Sequence, residues 1–237
     1  ESTSLTGNFY FGTEETSSSR ISDNLIFASL NEKPNNEGID FLVDTRDGQK
    51  YKTVKIGAQV WLAENLRTTK LIDDTDIPLV EESKDWGKLQ IPGYCWREKD
   101  SINRKLYGAL YNWYAINSKM LCPVGWHVPN DIELTTLILF LGGEDKAGGK
   151  MKQVGSDYWN RPNSKASNES GFSGLPNGYR SSYYYNNYGG CGYWWSYSEN
   201  NTEKTKGWVL ISNSNKIEKI FGISKQNGFS VRCIKDK

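Results

Sequence analysis

Two short cysteine-containing stretches place the strongest constraint on how this chain can fold. Residues 122–129 read CPVGWHVP, and residues 228–233 read GFSVRC near the far end of the 237-residue sequence. Each holds one of only four cysteines. Disulfide bonding of these two stretches would close the aromatic-rich body of the chain into one large domain. From the residues alone, three pairings of four cysteines stay open.

The charge balance and the hydropathy exclude two classes of partner. The chain has 29 Lys and Arg against 28 Asp and Glu, a net charge of +1. This near-neutral balance gives no electrostatic reason to expect binding to nucleic acid. The longest apolar run, residues 137–141, is far shorter than the roughly 18 residues of a membrane-spanning helix. We therefore expect no nucleic-acid partner and no membrane span in this chain.

The first 38 residues differ in composition from the rest. They are rich in Ser and Thr, and residues 31–38 form a further polar stretch of turn-forming residues. We interpret residues 1–38 as an N-terminal extension or tether and residues 39–237 as one domain. Because the chain begins with Glu1, we expect that an export signal has been removed, with a lipid anchor upstream as an option.

The apolar pattern of residues 39–237 predicts an α+β domain with short antiparallel sheets, about two helices and long loops. Residues 41–44 and 51–56 flank Asp47-Gly48, a dipeptide typical of hairpin turns. Residues 106–116 fit either a helix or a strand. Further strands are predicted over residues 193–198, 207–212, 217–221 and 229–234.

Two helices are predicted in the middle of the chain. Asn130 is a candidate N-cap for a helix over residues 130–141, and Glu133 can complete a capping box. A shorter helix is predicted over residues 147–153. The predicted buried stripe of the first helix comprises Ile132, Leu134, Leu137, Ile138 and Leu141.

Several motifs that run in order through residues 39–237 resemble one known family. They are DGQ at 47–49, VKIG at 54–57, QVWLAENL at 59–66, YGALYNWY at 107–114, CPVGWHVP at 122–129, NESGF at 168–172, LPNGYR at 175–180, GYWWS at 192–196 and GFSVRC at 228–233. The chain is similar to the Fibrobacter succinogenes major paralogous domain, a family of exported proteins common in Bacteroidetes-type bacteria. This resemblance implies a C-type-lectin-like fold, shared more distantly with the formylglycine-generating enzymes.

The resemblance also implies a disulfide pairing. A lectin-like domain joins an early cysteine to its last strand, which suits Cys122 and Cys233. Cys95 and Cys191 are then left for a second bond or stay as thiols. The formylglycine-generating enzymes use a close pair of cysteines near the C-terminus, whereas Cys233 stands alone in its part of the sequence. That departure argues against the same oxidase chemistry.

Motifs for catalysis and for zinc are missing from the sequence. His127 is the single histidine, and no C-x-x-C pair is present, so no zinc-ligand pattern can be written. We interpret His127 as structural, because no nucleophile and orienting carboxylate complete a triad with it. We therefore predict no catalytic residues.

The usual calcium-dependent sugar site is also expected to be absent. Lectins of this fold use an acidic or amide residue before Pro-Asn, followed later by Trp-Asn-Asp. The nearest strings here are Arg161-Pro162-Asn163 and Trp195-Ser196-Tyr197. A cationic side chain cannot ligate calcium, which requires oxygen ligands. No cofactor is predicted, although a structural calcium bound through Asp157, Asn168 or Glu169 stays open.

The tract from residue 157 to 195 is dense in Tyr, Trp and Asn. Tyr, Ser, Asn and Gly on the loops of a rigid scaffold are typical of adaptable binding surfaces. If residues 194–195 lie in a strand, we expect one tryptophan in the core and the other facing a groove. The alternative is a solvated loop with internally stacked tyrosines. The candidate ligand-binding residues are Trp159, Asn160, Tyr183, Tyr184, Tyr185, Asn186, Trp194 and Trp195.

These observations predict a non-catalytic binding module that is extracellular or held at the outer-membrane surface. Its expected partner is a glycan or a surface protein, recognised through aromatic loops. The alternatives are an enzyme on a formylglycine-generating-like scaffold and a structural subunit of a surface appendage. A deep pocket with strongly perturbed ionisable groups would favour the enzyme.

Overall fold

The computed structural model describes residues 40–97, 101–197 and 205–237. The predicted N-terminal extension, residues 1–38, lies outside these ranges. Within them the chain forms a mixed α+β structure of helices and short antiparallel sheets joined by long loops. The predicted class, α+β with short antiparallel sheets, is therefore confirmed.

The strands of the described ranges are all short. In chain order they are β1 (Phe41–Val43), β2 (Lys50–Ile56), β3 (Gln59–Leu62), β4 (Tyr94–Trp96), β5 (Ala109–Tyr111), β6 (Trp126–His127), β7 (Tyr179–Arg180), β8 (Tyr185–Asn186), β9 (Cys191–Ser196), β10 (Lys206–Ile211), β11 (Ile217–Phe221) and β12 (Ile234–Lys235). They form a five-stranded sheet in the order β1-β2-β3-β12-β6 and a three-stranded sheet in the order β11-β10-β9. The remaining strands form the pairs β4-β5 and β7-β8.

The five-stranded sheet brings the beginning and the end of the described chain together. The predicted hairpin is confirmed, with Leu42 opposite Tyr51 and with Gly48 at φ +70° in the turn. The last strand, β12, inserts between β3 and β6, so that Ile234 pairs with both Trp61 and His127. Its insertion makes the middle of this sheet depend on contacts that are distant in sequence.

A disulfide reinforces the same region. The Sγ atoms of Cys122 and Cys233 are bonded, and their Cα atoms lie 5.9 Å apart. The pairing implied by the family resemblance is therefore present. A second bond between Cys95 and Cys191 is not formed, since both are free thiols. Cys95 is fully buried in β4, and burial raises the pKa of its thiol, which makes it a poor nucleophile.

The described ranges contain five helices instead of about two. They are α1 (Ser83–Trp86), α2 (Ser101–Tyr107), α3 (Trp113–Asn117), α4 (Asp131–Phe140) and α5 (Glu144–Met151). The first three have four to seven residues, too few for a 3.6-residue repeat to stand out in the sequence. The ambiguous segment 106–116 contains both structures, strand β5 followed by helix α3.

Helix α4 begins as its sequence predicts. The side chain of Asn130 accepts hydrogen bonds from the backbone N–H of Ile132 and of Glu133, and the Glu133 carboxylate closes the capping box. One member of the predicted buried stripe is wrong, because Ile132 is 78% exposed. Ile132 precedes Leu134 by two positions, a rotation of about 200°, which places it on the opposite face.

The predicted strand over residues 229–234 is wrong except at its end. Only Ile234 belongs to a strand, β12. The preceding residues form isolated bridges, Phe229 with Tyr111 and Ser230 with Trp194. This tract therefore crosses between sheets and ties β5 to β9, which explains why its residues are buried without forming a regular ladder.

The long loops that follow α5 are fastened by a buried ammonium group. Lys152 is fully buried, and its Nζ donates to the carbonyl oxygens of Ser164 at 2.9 Å and Ser214 at 2.7 Å. It also lies 3.0 Å from the Ile211 carbonyl oxygen and 3.2 Å from that of Ser212. Burial lowers the pKa of Lys152 to about 8, so the group stays charged at neutral pH.

Candidate functional site

The tyrosine-rich loop, residues 181–188, presents the most exposed aromatic side chains of the predicted face. Tyr183 and Tyr184 are 70% and 71% exposed, and their ring centroids lie 6.2 Å apart. The Ser181 hydroxyl oxygen accepts hydrogen bonds from the backbone N–H of both, at 3.3 and 3.0 Å. The Ser83 hydroxyl of α1 donates to the Tyr183 carbonyl oxygen at 3.0 Å. The loop tip is therefore a defined turn that holds two tyrosines in solvent.

Arg180 fixes the base of this loop. It is fully buried, and its two terminal nitrogens donate to the carbonyl oxygens of Val80 at 2.5 Å and Glu81 at 2.6 Å. Its guanidinium lies over the rings of Trp86, at 4.5 Å, and Tyr185, at 5.0 Å. These contacts clamp the loop to the segment that leads into α1, so the tip is presented on a rigid support.

The other two tyrosines of the loop pack internally. The Tyr185 hydroxyl donates to the Trp96 carbonyl oxygen at 3.1 Å, and burial raises the pKa of that phenol. The Tyr188 ring lies beneath the guanidinium of Arg97 at 4.3 Å and 6.1 Å from the Tyr185 ring. The alternative interpretation, internally stacked tyrosines, thus describes this half of the loop, while Tyr183 and Tyr184 remain available.

The two candidate asparagines lie beside the loop. The Asn186 side chain donates to the Tyr184 carbonyl oxygen at 3.2 Å, which supports the turn. Asn160 is exposed, and its backbone N–H donates to the Gly189 carbonyl oxygen at 2.7 Å. The structure therefore brings Asn160 to the end of the tyrosine-rich loop, as the sequence interpretation requires.

The three candidate tryptophans are not exposed. Trp159 is 1% exposed, with its indole N–H bonded to the Gly174 carbonyl oxygen at 3.0 Å. Trp194 and Trp195 are fully buried, so the expectation that one of them faces a groove is wrong. They do point to opposite sides of β9, but both sides are covered: Trp194 stacks on Trp208 at 4.5 Å and Trp195 on Phe229 at 4.6 Å.

A buried polar hub lies at Asn65, which the sequence analysis did not single out. Its side-chain oxygen accepts from the indole N–H of Trp194 at 2.8 Å and from Nε of Arg232 at 2.7 Å. Its amide nitrogen donates to the Tyr107 carbonyl oxygen at 2.7 Å. The available signal was the type of residue: Asn65 and Arg232 are polar residues that directly adjoin apolar positions of their motifs.

Arg232 lines a cavity of about 560 Å³. Its terminal nitrogens donate to three carbonyl oxygens, those of Leu62, Phe172 and Ser173, at distances of 2.6 to 3.2 Å. Burial lowers the pKa of this guanidinium to about 9. Lys52 and Tyr158 belong to the same cavity wall.

His127 is held between two carboxylates. Its Nε2 lies 2.9 Å from Glu133, and its Nδ1 lies 2.6 Å from Asp236. The hydrogen bonds to these carboxylates raise the pKa of His127 to about 9 despite partial burial. At neutral pH the ring is therefore a cation with both nitrogens occupied, which suits it to an ion pair that anchors the end of the chain and not to proton abstraction.

Metal ligands do not converge in the described ranges, where no three His, Cys, Asp or Glu residues are grouped to hold an ion. Of the calcium candidates, Asn168 accepts from the backbone N–H of Ser173 at 2.8 Å, and Glu169 pairs with Lys150 at 3.3 Å. Asp157 is exposed. Among the helices described, none combines the length and the apolar character needed to span a bilayer.

The fold and these sites define a disulfide-linked α+β domain with buried cations in its loop region and an exposed pair of tyrosines. The chain belongs to the Fibrobacter succinogenes major domain family, whose model matches residues 54–235. No curated protein and no solved structure matches the chain.

Proposed function

We propose that this chain is a non-catalytic binding module that recognises a glycan or a surface protein through the tyrosine-rich loop. The observation that carries the proposal is the exposure of two adjacent tyrosines on a loop clamped by Arg180. Tyrosine offers a flat apolar face and a hydroxyl, and it loses little conformational entropy when it is already held in place. Asn160 and Asn186 supply directional hydrogen-bonding groups beside it.

The proposal extends to the fold and to the location of the protein. The placement of β12 beside β3 and the bond between Cys122 and Cys233 support a C-type-lectin-like fold. A disulfide is typical of proteins in oxidising compartments, which supports export to the cell surface or beyond. A structural calcium ion stays part of the proposal only as an option for Asp157, Asn168 and Glu169.

The ionisable groups give less support to the enzyme alternative. A general base is most effective with a pKa near the working pH, whereas the pKa of His127 is about 9 and both its ring nitrogens contact carboxylates. The appendage alternative would depend on exchange of the N-terminal extension, which lies outside the described residues. We therefore favour the binding module.

A glycan and surface-protein array probed with the full 237-residue chain tests the proposal. Truncation of an aromatic anchor typically costs about 2 kcal/mol, or roughly a thirtyfold loss of affinity, so Tyr183→Ala with Tyr184→Ala should abolish array binding. Phe221→Ala is the matched control, because Phe221 is 62% exposed at a different place in the fold. The proposal would be contradicted if the double variant bound as well as the parent chain, or if the parent chain bound no glycan and no surface protein on the array.

A further inference from the structure

Arg232 introduces a positive charge into the interior, and Glu64 acts on it through space without forming an ion pair with it. A guanidinium has five N–H donors, and four hydrogen bonds are described for it, all to neutral oxygens. Its side chain is only 1% exposed. Across residues 40–97, 101–197 and 205–237, no carboxylate forms an ion pair with it. The nearby Glu64 is bonded to Arg67 at 2.7 Å.

A buried charge that forms no ion pair is costly, even after relaxation of its surroundings. The neutral acceptors around Arg232 reduce that cost but leave the net charge in place. Arg232 and its acceptor Ser173 both line the 560 Å³ cavity. An anion inside this cavity would compensate the guanidinium more fully than the carbonyl groups do.

The rim of the cavity is also positively charged. Lys52 and Lys105 line it and are exposed, and neither forms an ion pair with a carboxylate of the described ranges. Glu64 is the single carboxylate of the described wall. Three cations against one carboxylate, which is already paired, create a positive potential that attracts and retains an anionic group.

The remaining wall indicates the size and shape of the ligand. The volume far exceeds the needs of a small inorganic ion, and the half-buried Tyr158 offers the edge or face of a ring. Leu175 adds apolar surface, while Gln153 and Ser173 add neutral hydrogen-bonding groups. A flat aromatic surface with a few polar groups is the chemistry that suits a sugar ring and its hydroxyls.

We propose that this cavity binds an acidic sugar, whose carboxylate is held by Arg232, Lys52 and Lys105 while its ring packs against Tyr158. None of these residues belongs to the tyrosine-rich loop, so the site does not depend on the function proposed for that loop. The ligand carboxylate supplies the directly bonded negative charge that Arg232 lacks, and the sugar hydroxyls meet Gln153 and Ser173.

The test is titration of the full chain with sodium glucuronate, glucose and sodium acetate, followed by NMR at the Arg232 Nε–H signal. We expect a saturable shift with glucuronate and none with glucose at equal concentration. Acetate should bind more weakly, because it lacks the ring. Equal effects of glucuronate and glucose, or no shift with either, would overturn the proposal. Acetate, or a short peptide with a free C-terminus, binding as tightly as glucuronate would overturn the assignment to a sugar.

Two variants test the role of charge. Lys52→Gln with Lys105→Gln should weaken glucuronate binding roughly fivefold, or about 1 kcal/mol for the two exposed charges together. Lys84→Gln with Lys146→Gln removes the same net charge from exposed positions outside the cavity and should leave binding unchanged. If both double variants weaken binding equally, the effect is one of net charge and the site is not where we place it.

The third variant, Asn65→Asp, supplies a carboxylate from within the protein. The side-chain oxygen at this position lies 2.7 Å from Nε of Arg232, so the new charge should compensate the guanidinium and abolish glucuronate binding. A thermal melt establishes that this variant is folded. A folded Asn65→Asp that binds glucuronate as tightly as the parent chain would refute the role of Arg232.

Discussion

Replacement of Asn65 by alanine should be among the most destabilising single changes in this chain. The Asn65 side-chain oxygen is the acceptor for both the Trp194 indole N–H and Nε of Arg232, at 2.8 and 2.7 Å. Both donors are buried, and no other acceptor is described for either. The Tyr107 carbonyl oxygen, which also bonds to Asn65, keeps a second donor in Asn177 at 3.3 Å.

The magnitude of the destabilisation follows from the two buried donors that would lose their acceptor. A buried group that loses its partner costs about 1–3 kcal/mol, and a charged group costs more. Two such groups, one of them a guanidinium, therefore predict a loss of about 3–6 kcal/mol in the free energy of unfolding. This is a large fraction of the roughly 5–15 kcal/mol that stabilises a typical domain.

Equilibrium unfolding in urea, followed by tryptophan fluorescence, measures this loss. Asn160→Ala is the matched control, because Asn160 is exposed and its described hydrogen bond uses the backbone. The control should change stability by about 0.5 kcal/mol or less. An Asn65→Ala loss within about 1 kcal/mol of the control would refute the hub argument.

Three further changes have predictable outcomes. The contribution of His127 to the free energy of unfolding should fall as the pH rises from about 6.5 through about 9, because its pKa is raised from 6.5 to about 9 in the folded state, and the stabilisation present below the lower value is lost above the higher one. The difference in free energy of unfolding between the parent chain and His127→Gln, taken from unfolding curves across that pH range, should therefore shrink as the pH rises, since Lys152, whose pKa is about 8, titrates in both proteins. Gly149→Ala should destabilise the chain by about 2 kcal/mol in thermal melts, because the added Cβ would meet neighbouring oxygen atoms, the nearest 2.0 Å away. Gly190→Ala is the control and should be tolerated, because its added Cβ meets no atom closer than 3.7 Å. Replacing Cys122 and Cys233 together by alanine should lower the free energy of unfolding, measured in urea, by about 4–5 kcal/mol. This is the value that the loss of chain entropy gives for a disulfide between residues 111 positions apart. A loss below about 1 kcal/mol would show that the unfolded chain is already compact between these residues.

Local sequence signals predicted the parts of the fold that local interactions determine. The turn at Asp47-Gly48 and the capping box of Asn130 and Glu133 depend on neighbours a few residues apart, and both are formed. The disulfide came from the family resemblance. The helices α1 and α2 were missed, and α3 was not distinguished from a strand, because each is too short to show a periodic pattern and depends on the packing around it.

The burial of Trp194 and Trp195 could not be predicted from the alternating direction of side chains along a strand. Alternation along a strand gives the direction of a side chain and not what covers it, and β9 has a hydrophobic cluster on each side. Trp194 and Trp195 therefore pack into different clusters. The hub at Asn65 joins residues more than 100 positions apart, so a pattern within any short window carries no sign of it. In contrast, Tyr183 and Tyr184 sit in a run of polar and Gly residues, and their exposure agrees with that local composition.

Lys152 gives the long loops a cation that is covalently part of the chain, which a bound metal ion is not. Its ammonium gathers four carbonyl oxygens from segments up to 62 residues away, a task that many loop-rich domains assign to a dissolved cation. A cation attached to the chain cannot be diluted away or removed by a chelator. The loops around it should therefore keep their arrangement when the protein moves between media of different ionic content.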